Sequence, residues 1–178
     1  VYQEDQLGDG HAILQAADWI NSEHVAVLFG DDIFSGEHSG IAQLMAAHDA
    51  LTSDDQGAIL ALEKLEDSQI SQKGIVEVGS IHATIERLQS IKSLVEKPNL
   101  EDAPSNLGIV GRYIVPRSTI DLLPSVGASH GGEIRLIDAL IEQLGSIPIH
   151  GLECTGIRLD TGTPEGYARA VQVLTADL

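Results

Sequence analysis

Three short stretches carry the residue types that handle metal ions, phosphates and sugar hydroxyls: Gly30-Asp31-Asp32, Val95-Glu96-Lys97-Pro98 and Arg158-Leu159-Asp160-Thr161-Gly162-Thr163. Each follows an apolar run that reads as a strand, and in open α/β sheets ligands bind beyond the carboxyl ends of strands. Two carboxylates at such an end can hold a hard divalent cation, which takes oxygen ligands. Gly and Asp are also ordinary turn residues, and read alone a solvated turn accounts for the dipeptide. Glu96 can accept hydrogen bonds from sugar hydroxyls and Lys97 can meet a phosphate. As neighbours on a strand they are expected on opposite faces. A surface strand end stopped by proline explains them as well. Asp160 lies between a strand and a helix start, where it can be a metal ligand or a structural turn residue.

The remaining candidates are weaker. Gly8-Asp9-Gly10-His11 precedes a helix and can offer backbone N–H groups to a planar base or an anion. It has no full GxGxxG, and a loose helix entry explains it equally. His24, His38, His48, His82, His130 and His150 show no HxxxH or HExxH spacing and read as surface or partly buried histidines. Cys154 reads as an inert core thiol. No GxSxG is present, so serine hydrolysis has no support. Helix-dipole stabilisation accounts for Glu133 and Asp138.

Composition narrows the classes. The 178 residues, 18.9 kDa, carry 27 Asp and Glu against 10 Lys and Arg, a net charge of −17. Such a surface repels phosphate backbones, and with 3% aromatic residues base-stacking platforms are scarce. Nucleic acid is not an expected partner. A 43% hydrophobic content separates the chain from disordered acidic tails. No apolar run approaches the ~20 residues of a membrane span. Val1–Gly10 is polar and acidic and does not read as a signal peptide. A single cysteine excludes a disulfide framework and favours a reducing cytoplasm.

The elements that must position these groups alternate between strand and helix patterns. His24–Phe34 reads as one buried strand covered on both faces, ending in an acidic turn. Helical spacing precedes it (Ile13, Leu14, Ala17, Ile20) and follows it (Ile41, Leu44, Met45, His48). Strands are predicted at Gly57–Leu62, Gly74–Val78, Ala83–Leu88, Lys92–Lys97, Asn106–Val115, Ile147–Ile149 and Thr155–Leu159. Ser118 with Asp121 resembles a capping box. Ile134, Ile137, Leu140, Ile141 and Leu144 form a helical stripe closed by Gly145. Thr163-Pro164 starts a last helix with Tyr167, Ala168, Val171 and Leu174 expected on its buried face. The result is an α/β fold in one domain, 1–178, with a mixed, mostly parallel sheet. An antiparallel excursion is expected between Gly57 and Lys97.

Taken in order, these segments resemble the sugar-phosphate nucleotidyltransferases, and among them the bacterial UTP–glucose-1-phosphate uridylyltransferases. The resemblance rests on VEKPNLEDAPSNLGIVGRYIV (Val95–Val115), HGGEIRLIDALIEQL (His130–Leu144), LFGDDIFSG (Leu28–Gly36) and VYQEDQLGDGHAIL (Val1–Leu14). It implies a Rossmann-like sheet of the glycosyltransferase-A-like type. It implies transfer of a uridylyl group from UTP to glucose 1-phosphate, giving UDP-glucose and pyrophosphate with Mg²⁺ as cofactor. By resemblance, Asp31 and Asp160 hold the Mg²⁺, and Lys97 neutralises the sugar phosphate. Gly74 and Glu96 meet the glucose hydroxyls, and Asn106 and the Ile109 backbone line the sugar pocket. Gln3 and the Gly8 backbone contact the uracil.

The family's GxGTRxxPxTK loop, which holds the triphosphate, has no counterpart here. Val1 matches a point roughly a third of the way along the family sequence. The chain therefore reads as truncated at its N-terminus and is expected to bind UTP poorly by itself. An exposed sheet edge and a homo-oligomer are expected with it. Two alternatives stand beside this reading. One is a non-catalytic sugar-nucleotide-binding or assembly module, the other a thymidylyltransferase-like enzyme.

Overall fold

The near-continuous apolar segment that needs cover on both faces is Ala58–Lys64 rather than the acidic-tipped segment before it. In the computed structural model, which describes residues 1–127 and 132–176, this is strand β3, with its first five residues buried. Ala58, Leu60 and Leu62 point into one apolar layer, and Ile59 and Ala61 into another. The first layer is filled by Ile120, Leu123, Leu136 and Leu140 from helices α4 (Arg117–Leu122) and α5 (Leu136–Glu142) and the segment between them. The second is filled by Leu44, Ala47 and Leu51, from helix α2 (Gly40–Ala50) and its end. Each fully buried leucine contributes about 1.5–3 kcal/mol.

Among the described residues six strands form the main sheet, in the order β1-β6-β3-β7-β5-β4. These are β1 (His24–Leu28), β3, β4 (Gly74–Ile81), β5 (Leu88–Glu96), β6 (Leu107–Pro116) and β7 (Ile149–Glu153). The sheet is mixed. Among the described residues β3 and β7 run parallel, and the other pairings are antiparallel. The expected excursion is the β4–β5 hairpin. A further pairing, Ile75 with Gly108, joins β4 to β6 and curls the sheet towards itself. A separate two-stranded ribbon joins β2 (Asp32–Ser35) to β8 (Ile157–Asp160).

Several expectations change. His24–Phe34 is two strands, not one: β1 is half-exposed and among the described residues pairs only with β6, and the chain turns at Phe29–Asp31 to enter β2. Ala83–Leu88 is not a strand, and β5 begins only at Leu88. Ile147 makes an isolated bridge, and the strand begins at Ile149. Helix α4 starts at Arg117 on Pro116, with no side-chain cap from Ser118. Helix α6 (Pro164–Thr175) has Thr163 as its N-cap, accepting from the Gly166 N–H, but its expected inner face is exposed at Tyr167, Val171 and Leu174. The small residues face β8 instead. Ala170 is buried, and a Cβ on Gly166 would come within 2.1 Å of the Asp160 carbonyl oxygen. The expected exposed sheet edge falls at β1, an apolar strand that ends the strand order and leaves Leu28 50% exposed, while β3 is flanked by β6 and β7.

Candidate active site

The adjacent carboxylates Asp31 and Asp32 part company at the turn into β2. Asp32 is buried: its Oδ2 accepts from the Gly111 N–H at 2.5 Å, and its Oδ1 meets the Arg158 guanidinium. Gly111 is required by this approach, since a Cβ there would lie 2.5 Å from Asp32 Oδ2 and 2.6 Å from Phe29 Cβ. Asp31 is exposed. Its carbonyl accepts from the Thr161 N–H at 2.7 Å and the Thr161 hydroxyl at 2.9 Å, which fixes it against the end of β8.

That seam brings together two carboxylates far apart in the chain. A methyl on Gly162 would sit 2.9 Å from Asp31 Oδ2 and 3.2 Å from Asp160 Oδ1, so these oxygens lie within roughly 6 Å of each other. Asp160 is charge-saturated on its other oxygen, where Lys73 Nζ (2.9 Å) and Arg158 (2.8 Å) both donate to Oδ2. Partial burial works to raise this carboxyl, but Lys73, the Gly162 N–H and Arg158 outweigh it and hold it down at about 2. Arg158, 5% exposed, also pairs with Glu63 at 3.0 Å. Burial opposes its charge, but Asp32 and Glu63 reverse that and keep it firmly protonated.

Beside the ribbon lies a cleft of about 150 Å³. Its walls include Asp9, Asp31, Asp32, Lys73, Gly74, Glu96, Ile109, Tyr113, Arg135 and Arg158. Three of the chain's ten basic residues face it alongside four carboxylates, so in a molecule of net charge −17 its lining is close to charge-balanced. Gly74 and Glu96 are register partners across β4–β5. A Cβ on Gly74 would meet Ile137 Cδ1 at 2.5 Å, Glu96 Oε2 at 3.2 Å and Ile109 Cδ1 at 3.4 Å, so the glycine keeps this corner open. Glu96 Oε1 accepts from Arg135 at 3.3 Å and lies 3.6 Å from Lys97 Nζ. Lys97 therefore does not point away from Glu96 as strand alternation predicts. Its φ of 47° takes it out of the strand, and its backbone N–H donates to the Lys73 carbonyl at 3.1 Å.

Gln3 and Gly8 also converge. The Gln3 amide donates to the Gly8 carbonyl at 2.9 Å and meets His11 Nδ1 at 3.0 Å. Gly8 has φ 99°, and a Cβ there would be 2.4 Å from the Ile134 carbonyl oxygen. The segment is stitched to the start of α5 by Ile134 N–H to Leu7 (2.8 Å), Gly10 N–H to Ile134 (2.9 Å) and Leu136 N–H to Asp9 Oδ1 (2.8 Å). Burial raises the Asp9 carboxyl above its usual range against these N–H donors. Burial also pushes the Tyr113 phenol far above its ordinary value, so it faces the cleft as a neutral hydroxyl.

Of the sequence-predicted residues Asp31, Gly74, Glu96 and Ile109 line the cleft, Asp160 and Lys97 touch its lining residues Lys73 and Glu96, Gln3 and Gly8 lie beyond its walls, and so does Asn106. It is exposed at the start of β6, with its carbonyl accepting from Leu65. His130, and with it the first two residues of the HGGEIR segment, lies outside the described residues. Cys154 is half-buried, and burial pushes its thiol up to about 11, opposed by Arg87, in keeping with an unreactive thiol. Sequence reasoning assigned no role to Lys73, Arg135, Arg158 or Tyr113. The Arg158–Asp160 spacing of two, which puts both on one face of a strand, was the available signal for Arg158.

The donor set suits a hard cation. Among the described residues no three His, Cys, Asp or Glu side chains gather into a metal-holding group. Two close carboxylates fit Mg²⁺ in particular, which is usually held by one or two carboxylates and completed by water and substrate phosphates.

The chain is similar to known proteins along its length. Residues 1–177 match the nucleotidyl transferase family. A UTP–glucose-1-phosphate uridylyltransferase of Bacillus subtilis is 34% identical over 170 residues, covering 96% of this chain and 55% of that protein. One from Pseudomonas aeruginosa is 32% identical, covering 94% and 58%. A crystal structure of UDP-glucose pyrophosphorylase complexed with UDP-glucose superposes with a TM-score of 0.88 at 32% identity, covering all of this chain and 66% of that one. A UTP-bound enzyme of this kind from Acinetobacter baumannii superposes with 0.84 at 28% identity, covering all of this chain and 60% of that one. The chain thus spans little more than half the length of the curated relatives it matches. Among the described residues no helix is long and apolar enough to cross a membrane.

Proposed function

We propose that this chain, which belongs to the nucleotidyl transferase family, carries the sugar- and metal-holding part of an enzyme that transfers a uridylyl group from UTP to glucose 1-phosphate. The observation that carries the reading is the meeting of Asp31 and Asp160 beside the cleft floored by Gly74 and Glu96. A phosphate oxygen of glucose 1-phosphate attacks the α-phosphorus of UTP. The new phosphorus–oxygen bond gives UDP-glucose, and the bond to the β-phosphate breaks to release pyrophosphate. The attacking oxygen is already ionised at neutral pH, so no general base is required, and a site without a convincing base suits the chemistry. Catalysis then rests on alignment and neutralisation of charge.

Each residue has a task in this scheme. Asp31 and Asp160 would hold Mg²⁺, which when bound brings two anions together and stabilises charge on the transferring phosphorus. Glu96, oriented by Arg135, accepts from glucose hydroxyls, and Gly74 leaves room for the ring. Lys97 faces the sugar phosphate. Gln3 and the Gly8 backbone offer hydrogen bonds to the uracil edge. Asn106, exposed just before β6 and outside the cleft walls, is given no contact with the sugar in this scheme. Association between copies of the chain is a further proposal, read out by sedimentation velocity.

Calorimetry with UDP-glucose tests the reading. Binding that requires Mg²⁺, that Glu96→Gln weakens at least tenfold, about the worth of one charged hydrogen bond, and that Asp31→Asn uncouples from Mg²⁺ is expected. Binding indifferent to both variants would remove the assignment.

A further inference from the structure

Lys73 is a cation that the scheme above leaves without a task, and its position gives it one. It shares a single oxygen, Asp160 Oδ2, with Arg158. The two cations differ in how firmly they are held. Arg158 is also clamped by Asp32 and Glu63 and is 5% exposed. Lys73 is 24% exposed, and its ammonium ends a flexible four-carbon stem. Of the two, Lys73 is the one that can leave. The place it would leave is the carboxylate whose other oxygen faces Asp31 across Gly162. A divalent cation between Asp31 and Asp160 and an ammonium on Asp160 are like charges competing for one anion.

The backbone fixes where a released ammonium can go. The Lys97 N–H donates to the Lys73 carbonyl, so the two lysines are tied side by side where β4 begins and β5 ends. Lys73, Gly74 and Glu96 line the same cleft. An anion held in the cleft therefore has the Lys73 side chain at its wall.

We propose that Lys73 is a displaceable counter-ion of Asp160: it competes with the divalent cation for that carboxylate and, once displaced, turns to the phosphate group in the cleft. This makes it a positioning residue that couples metal loading to anion binding. The inference rests on the metal assignment to Asp31 and Asp160, and the test separates the two.

The probe is Mn²⁺ binding followed by electron paramagnetic resonance on the 178-residue chain. Lys73→Met keeps the stem and removes the charge, and is expected to tighten Mn²⁺ binding by about tenfold, the influence of one neighbouring charge. Lys73→Arg keeps the charge and is expected to stay near the unsubstituted chain. Glucose 1-phosphate is expected to bind several-fold more weakly to Lys73→Met in the presence of the metal. In the unsubstituted chain, acetylation of Lys73 is expected to rise when Mg²⁺ is added, a readout that depends on no variant folding. An unchanged Mn²⁺ affinity in Lys73→Met and an unchanged labelling of Lys73, with Mn²⁺ binding lost in Asp31→Asn, would overturn the counter-ion role alone. Mn²⁺ binding that survives in Asp31→Asn would overturn the metal assignment beneath it.

Discussion

The two sides of the cleft are built by different forces. The sugar side, Gly74, Glu96 and Ile109, is set by strand register inside the main sheet and by apolar contact with Ile137 on α5. The metal side, Asp31 and Asp160, stands on a two-stranded ribbon outside that sheet, tied down by Arg158 and its three carboxylates. One side is therefore held by many small contacts spread over a layer, the other by a few strong ones through a single guanidinium. The first should tolerate losing any one contact, and the second should not.

The sharpest way to break this contrast is Arg158→Met. It leaves Asp32 buried without its partner, and removing one member of a buried ion pair costs about 3–5 kcal/mol. Urea unfolding should show that loss, and a loss below about 1 kcal/mol would mean that the ribbon does not depend on its arginine. On the sugar side, Gly74→Val drives a branched side chain into Ile137 and Glu96. Overpacking of this kind costs about 1–3 kcal/mol, and UDP-glucose binding should vanish while Mn²⁺ binding remains.

Asp31→Asn sharpens the comparison from the other direction. Its side chain is exposed, so stability should move by no more than about 0.5 kcal/mol while metal binding is lost. Asp160→Asn removes one of the three carboxylates on Arg158 and gives a loss with a definite pH signature. Its carboxyl sits at about 2 in the folded chain, below its unfolded value near 3.8. The folded state therefore gains from it fully above pH 4, and the gain disappears as pH falls towards 2. Thermal melts of the variant and the unsubstituted chain should differ at pH 5–7 and converge near pH 2. A gap that widens on acidification would reverse the sign.

The sequence shows one side of the cleft better than the other, for the same physical reason. Strands β3, β4 and β6, the β4–β5 excursion and the Thr163-Pro164 start of α6 were readable, because apolar runs and caps are local signals. The Asp31–Asp160 pairing was readable only through resemblance, since no local pattern links residues at opposite ends of a chain. Lys73 and Arg158 escaped because their roles lie in what they touch, and a lone cation just before a strand or on one looks like any surface charge. The single strand drawn from His24 to Phe34 failed because the turn signal at Gly30-Asp31 was taken as the end of a strand, whereas the chain resumes directly after it as β2. The inner face assigned to α6 failed because hydrophobic spacing located an apolar stripe, whereas the space beneath the helix admits only Gly166 and Ala170.

The β2–β8 ribbon has a consequence for how the molecule comes into being. Ser35 pairs with Ile157 and Asp32 with Asp160, so more than 120 residues must leave the ribosome after β2 before its partner exists. The hairpin of β4 and β5 can close before β8 exists, while the acidic seam cannot. Until β8 emerges Asp32 has no guanidinium to shelter it and is best left in water, so the cation-handling corner matures after that hairpin.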